Sequence, residues 1–312
     1  MHNITRILFV TAILTIAFVI DSQLGLTGLM VAGIAMDLQS FTVTAPGAAP
    51  GTAMAAVTGD SLFLRNARAG TDILCLAMWT NGQVTNGRTR MLVPSGHDFV
   101  VNWTYRNIAG QPDNKVPYGF PLHFKPQDPL SLTQVGSAVA GDVETVHMLN
   151  WYEDLPGVEG NFINPAELRR RGINMLTVED TTTATGASAY SGSRAINAAA
   201  DQFKADTEYA IVGAHIGANC GSLCVQGVDF GNLRVGIPGL SGDANWTKDW
   251  FLMLSEMHGV PGIPVINSAN RGGVFITNVT NENLTAVPFS LVLVQLAPRP
   301  VKTPETLTQV NA

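Results

Sequence analysis

Apolar and polar positions alternate along this chain with the period of short strands. Phe41-Thr42-Val43-Thr44 changes character at every residue and the run Phe99 to Tyr105 alternates from Val101 on, as a strand with one face on a core does. Turn formers punctuate the pattern. Ile73 to Trp79 leads into Asn81-Gly82 and Asn86-Gly87, which are hairpin signals, and Arg90 to Val93 is stopped by Pro94-Ser95-Gly96. Phe120 to Phe124 and Val143 to Trp151 read as further strands. Later in the chain the succession is Tyr209 to Ile216, Leu223 to Val228, Leu233 to Ile237, Trp250 to Ser255, Ile263 to Ile266, Gly273 to Asn278 and Pro288 to Leu296. Phe289 to Gln295 is apolar on both parities for much of its length, the pattern of a strand covered on both faces. Helices are expected only in short pieces. Asp60 is placed to cap Leu62 to Ala69 ahead of Gly70, Ser193 to open Ala195 to Ala205, and Asn164 to cap a turn that starts with Pro165 and ends at Gly172.

The pattern repeats. Arg68-Ala69-Gly70-Thr71-Asp72 returns as Lys204-Ala205-Asp206-Thr207-Glu208, 136 residues on, and Phe41-Thr42-Val43 returns as Leu176-Thr177-Val178, 135 residues on. Arg90 to Pro94 is echoed by Arg234 to Pro238, Gly119 to Leu122 by Gly262 to Val265, and Glu144 to Leu149 by Phe289 to Val294. Each echo is short, but their order is kept and the offset grows only by loop-sized steps, which argues for a duplicated domain. Seven or eight short strands per copy call for antiparallel sandwiches or barrels, and the jelly roll is the economical form. The fold expected is therefore all-β: two tandem jelly rolls over 38–152 and 174–298, a connector with a short helix at 153–173, an apolar segment at 1–37 and a polar tail at 299–312.

Composition adds to this picture. A length of 312 residues accommodates two domains, each able to close its own core. Only 13% of residues are charged against 46% hydrophobic, with 31 Gly and 17 Pro. A surface so poor in charge suits a protein whose faces are covered by neighbouring subunits. The net charge of −6 offers no general attraction to phosphate backbones, so direct nucleic-acid binding is not expected. Residues 7 to 20 are apolar between Arg6 and Asp21, and Leu24 to Met36 is a second apolar stretch. Fourteen residues fall short of the roughly 20 of a spanning helix. A secretory signal, a buried helix and a segment lying against a bilayer all fit this composition.

Catalytic patterns are scarce. Gly239-Leu240-Ser241-Gly242-Asp243 lacks the last glycine of a nucleophile elbow, and Ser95, His97 and Asp98 share one turn instead of converging from separate elements. Cys75 reads as a small core residue, and Cys220, Cys224 and His215 fall short of the four ligands of a structural zinc site. Gly87, Pro94, Gly96, His97 and Asn102 resemble the second cupin motif, but His97 directly follows the glycine, and the second copy has Pro238-Gly239-Leu240-Ser241 without a histidine. Neither a cofactor nor a metal site is proposed from the sequence. Arg169-Arg170-Arg171 suits the end of a helix through the macrodipole. The triplets at Asn102, Asn245, Asn278 and Asn283 match glycosylation acceptors, as a chain rich in Asn and Thr does by chance.

A duplicated β-sandwich, low in charge, without a discernible active site and opening with lipid-compatible residues, resembles the double jelly-roll major capsid proteins of tailless icosahedral viruses with an internal membrane. The resemblance covers about residues 38–297 and rests on architecture and repetition. It implies a non-enzymatic virion protein that forms homotrimers of pseudo-hexagonal outline. These would tile a capsid with minor capsid and vertex proteins over an internal lipid membrane. Arg6, Ile7, Leu8, Phe9, Ile13, Leu14 and Phe18 would then be the membrane-contact residues. A secreted or surface-lattice β protein with a signal peptide is the alternative, and a degenerate bicupin metalloenzyme the third.

Overall fold

The computed structural model describes residues 32–46, 52–68, 70–82, 88–94, 103–106, 122–135, 140–196, 203–239, 245–279 and 286–299. The membrane-contact candidates Arg6 to Phe18, the cupin-like His97 and Asn102, and the tail from residue 300 lie outside them.

The first half contains β1 (Ala32–Pro46), β2 (Thr52–Ala53), β3 (Ala55–Ala56), β4 (Ile73–Gly82), β5 (Arg88–Leu92), β6 (Trp103–Arg106), β7 (Leu122–Phe124), β8 (Ser131–Val135) and β9 (Ala140–Pro156). Two antiparallel sheets form, ordered β3-β1-β9-β4-β7 and β2-β8-β5-β6. The second half contains β10 (Phe162–Ile163), β11 (Gly172–Thr181), β12 (Arg194–Ala195), β13 (Glu208–Ile216), β14 (Ser222–Gln226), β15 (Arg234–Pro238), β16 (Asn245–Thr247), β17 (Ile263–Asn267), β18 (Phe275–Val279) and β19 (Pro288–Leu296). Its sheets run β10-β17-β13-β19-β11, with β16 added to β13, and β12-β18-β14-β15. With the small strands β3, β10 and β16 set aside, each half has eight strands, and in both the order is 1-8-3-6 facing 2-7-4-5. That order is the jelly roll. The two halves share one topology.

Alternation along β1 produces the layering. Ala35, Phe41 and Val43 point into the first sandwich, where they meet Ile73 and Cys75 of β4, Val146, Met148 and Tyr152 of β9, and Met91 and Leu132 of the facing sheet. Met36 and Leu38, on the other parity, belong to the apolar cluster of the second half. Strand β1 starts at Ala32, so the end of the second apolar stretch of the sequence is strand. Ala32 pairs with Pro156 and Gly172 with Leu296, so each sandwich begins and finishes at one end. The link from Pro156 to Gly172 is short, and Gly160 N–H donates to Ile34 O (3.0 Å) while Asn161 N–H donates to Asp229 O (2.7 Å). Both sandwiches consequently stand the same way up, with the link at one shared end.

Helix α1 (Pro165–Arg171) is the one expected from its cap, since Asn164 Oδ1 accepts from Glu167 N–H at 2.8 Å. Several other expectations fail. Trp250–His258 is helix α2, not a strand, and is closed by Gly259 in the left-handed region at φ 68°. Residues 62–68 form no helix, because the Asp60 carboxylate bonds Ser40 N–H and two side chains of the second sandwich instead of a helix end. Arg194–Ala195 pairs with β18 where a helix was expected; residues 197–202 lie outside the described set. Asn81-Gly82 is no hairpin turn: both residues are strand, the end of β4, paired with Thr145 and Glu144 of β9, and β5 lies in the opposite sheet, while Asn86-Gly87 lies outside the described residues. Along β19, Leu291 and Leu293 are fully buried, Val292 nearly so, and Ser290 and Val294 only partly, so the cover on its second face is incomplete.

Candidate functional site: the seam between the sandwiches

The outward face of the first sandwich is buried. Met36 and Leu38 of β1, Leu76 and Trp79 of β4, and Leu149 and Trp151 of β9 pack with Trp250, Cys220 and Val235 in one apolar cluster spanning both halves. Leu38 reaches β15 only because residue 236 is glycine: a Cβ there would lie 2.7 Å from Leu38 Cδ1. Trp79 Nε1–H donates across the seam to Gly221 O at 3.0 Å, and Trp250 Nε1–H donates to Gly236 O at 3.1 Å. Each indole thus buries its ring and satisfies its one donor. Lower in the seam, His258 Nε2 lies 3.0 Å from Leu76 O.

A polar clasp lies beside these rings. Asp60, from the loop after β3, accepts from Ser40 N–H (2.8 Å), from the Tyr190 hydroxyl (2.7 Å) and from Arg234 Nη1–H (2.9 Å). The Arg234 guanidinium also sits 4.0 Å above the Tyr190 ring, a cation–π contact. Ser40 Oγ is 2.9 Å from both the Tyr190 hydroxyl and His147 Nδ1, and Thr42 Oγ1 donates to Ser188 Oγ at 2.6 Å. Asp60 and Ser40 come from the first half, Tyr190, Ser188 and Arg234 from the second. Charge-assisted bonds between halves are the strong kind, and they fix register where apolar packing alone would slide.

Burial governs the titration of these groups. It pushes Asp60 up to about 6 against the pull of Tyr190, Ser40 N–H and Arg234. It also pushes His147 down to about 3, so the imidazole against Trp79, ring centroids 5.5 Å apart, is neutral. Asp37 is raised by burial despite its ion pair with Arg65 at 2.5 Å. Inside the first sandwich Glu144 accepts from Thr89 Oγ1 at 3.3 Å, and burial pushes its carboxyl up to about 8.

A cleft of about 440 Å³ opens beside the clasp, lined by Asp37, Gln39, Asp60, Phe63 and Arg65 among others. Asp37 is paired with Arg65 and Asp60 with Arg234, so its charged groups serve the fold. Among the described residues no three His, Cys, Asp or Glu side chains come together as metal ligands, and Cys75, Cys220 and Cys224 are all buried free thiols. Arg171 is buried between Glu167 and Glu208, and Arg169 pairs with Glu256, so these two arginines of the run are structural. Asn278 is fully buried, which removes it as a glycosylation acceptor in the folded chain.

In the sequence Trp79 closes one expected strand, Trp250 opens another and His147 falls inside a third. The structure brings all three to the seam, with Asp60, Tyr190 and Arg234, which drew no functional reading. The echo of Arg90 to Pro94 in Arg234 to Pro238 is not structural, since β5 is the fourth strand of its copy and β15 the fifth; Arg234 faces a buried carboxylate, whereas Arg90 is exposed.

Strand order therefore defines the class: an all-β double jelly roll, fused along a buried seam. No family model and no curated protein matches the chain. Among solved structures it is similar to the PBSX exported protein XepA, at 9% identity over 84% of this chain and 86% of that one, with a TM-score of 0.24. It is also similar to the major capsid protein P2 from bacteriophage PM2, at 9% identity over 85% of this chain and 98% of that one, with a TM-score of 0.22. Both are distant, and the assignment of fold rests on the strand order.

Proposed function

We propose that this chain is a virion structural protein, the major building block of an icosahedral capsid laid over an internal lipid membrane. Its work is assembly and enclosure, not catalysis. The observation that carries the reading is the use of one strand order twice, with the two copies upright, side by side and welded by an apolar seam. A threefold arrangement of such chains presents six similar sandwiches, and so fills a hexagonal lattice with a single gene product. Homotrimers are the unit, and minor capsid and vertex proteins complete the shell where hexagonal tiling must close.

The lipid side follows from the shared end. Phe63 and Val228 are more than half exposed there, beside Pro156 and Gly160 respectively, and the apolar segment that precedes Ala32 joins the fold at the same place. Ile7, Leu8, Phe9, Ile13, Leu14 and Phe18 then meet the membrane, with Arg6 at its headgroups.

Sedimentation of the full chain, alone and with lipid vesicles, tests this. Trimers and larger closed species that float with vesicles are expected. A monomer at every concentration that ignores vesicles would remove the reading.

A further inference from the structure

Leu62 and Phe63 are the one consecutive pair among the exposed large apolar side chains of the described residues, and the Phe63 ring is 56% exposed. Their loop is neither helix nor strand, yet its backbone is tied down on both sides. Gln39 Nε2–H donates to Ser61 O and to Phe63 O, both at 3.0 Å. Leu64 N–H donates to Asp128 O (2.9 Å), Leu130 N–H to Leu62 O (2.7 Å) and Phe63 N–H to Ser61 Oγ (3.0 Å). A loop so fixed holds its apolar side chains out in one arrangement and loses little further freedom when a partner binds.

The same loop supplies cations. Residues 61–68 include Arg65 and Arg68 and no carboxylate. Arg65 is bonded to Asp37 through Nε, and its side chain is 43% exposed. The pairing that serves the fold therefore steadies the guanidinium and leaves its Nη groups without a hydrogen-bond partner among the described residues. Arg68 is held in the same manner, by Nε on Asp154. The cleft of about 440 Å³ lies between this loop and Leu155, Pro156 and Val158, so one opening joins a guanidinium, an apolar wall and the exposed Phe63 ring.

A guanidinium with its Nη groups open matches two oxygens of a phosphate in a bidentate pair. Asp37 and Asp60 line the same cleft and repel a dianion, so the group it suits is a monoanionic phosphodiester. The apolar side chains at the lip suit the hydrocarbon part of the same molecule.

We propose that this cleft binds a glycerophospholipid, with the phosphodiester on Arg65 and the acyl chains leaving past Leu62 and Phe63. The site rests on the reading of the shared end as the lipid side, and it names the headgroup chemistry and the residue that takes it.

Two measurements test it on the full chain. Phe63→Cys gives a single reactive thiol, because the three native cysteines are buried. A polarity-sensitive fluorophore on Phe63→Cys should shift to the blue with vesicles of phosphatidylethanolamine and phosphatidylglycerol, whereas one on Glu179→Cys, towards the other end of β11, should not. A Phe63→Cys label that stays in water while the chain floats with the vesicles overturns the site and leaves the lipid-side reading standing. A chain that floats with no vesicles overturns both. Dihexanoyl phosphatidylglycerol below its micelle concentration probes the headgroup without a bilayer. Arg65→Lys keeps a cation for Asp37 but lacks the fork, so it should bind this lipid about tenfold more weakly than the wild type. Equal affinity of variant and wild type, or displacement of the lipid by inorganic phosphate at equal concentration, contradicts the assignment.

Discussion

Trp79 and Trp250 meet edge to face across the seam, ring centroids 5.8 Å apart and planes at 84°. One ring belongs to a strand of the first sandwich and the other to a helix of the second, and both are essentially inaccessible to water. Neither sandwich can part from the other without exposing both.

Trp250→Ala should therefore cost about 3–5 kcal/mol, the range for deleting a large buried aromatic. The loss falls on the coupling between halves as well as on the second core. In calorimetry the wild type should unfold in one transition, and the transition of the variant should broaden or split in two. A variant that melts as one sharp transition at an unchanged temperature would show that the seam does not couple the sandwiches.

Removing one partner of the clasp should do more harm than removing both. Arg234→Met leaves the Asp60 carboxylate, 3% exposed, without its cation, at an expected cost of about 3–5 kcal/mol. Adding Asp60→Asn should recover a large part of that loss. Denaturant titration of the double-mutant cycle checks this, and additive single effects would argue against a shared network.

Two buried groups should shape the pH dependence of stability in opposite senses. Glu144 is raised from about 4.5 unfolded to about 8 folded, so its contribution is intact below pH 4.5 and is lost as pH rises to 8. Glu144→Gln should remove that slope and stabilise the protein at pH 9 by about 2–5 kcal/mol. Equal stability of variant and wild type at pH 9 would show that the carboxyl is solvated.

His147 works the other way. Its imidazole is lowered from about 6.5 unfolded to about 3 folded, so its contribution is present above pH 6.5 and is lost as pH falls towards 3. His147→Gln keeps a partner for Ser40 and should flatten the acid limb of the difference curve against wild type. Parallel curves between pH 6.5 and 4 would contradict the neutral buried imidazole.

The duplication and the fold class were legible in the sequence, because strand alternation and turn chemistry recur in the same order in both halves. β13, β15 and β19 fall where the patterns put them, as does the Asn164-capped helix. Helix α2 was misread because Trp-Phe-Leu-Met-Leu is a short apolar run that suits either element, and only Gly259 signals a helix end. Asp60 was misread as a cap because its partners Tyr190 and Arg234 are 130 and 174 residues away, and no local pattern encodes so distant an encounter. The hairpin signal at Asn81-Gly82 failed because tertiary pairing overrode local turn chemistry: both residues extend β4 along β9, and β5 joins the other sheet.

Electron microscopy of the purified full-length chain, or of the particle it comes from, tests the central claim most directly. Threefold particles of hexagonal outline, each with six upright sandwiches, or closed shells built from them, are the predicted result. A field of single two-lobed molecules at concentrations that favour assembly would contradict it.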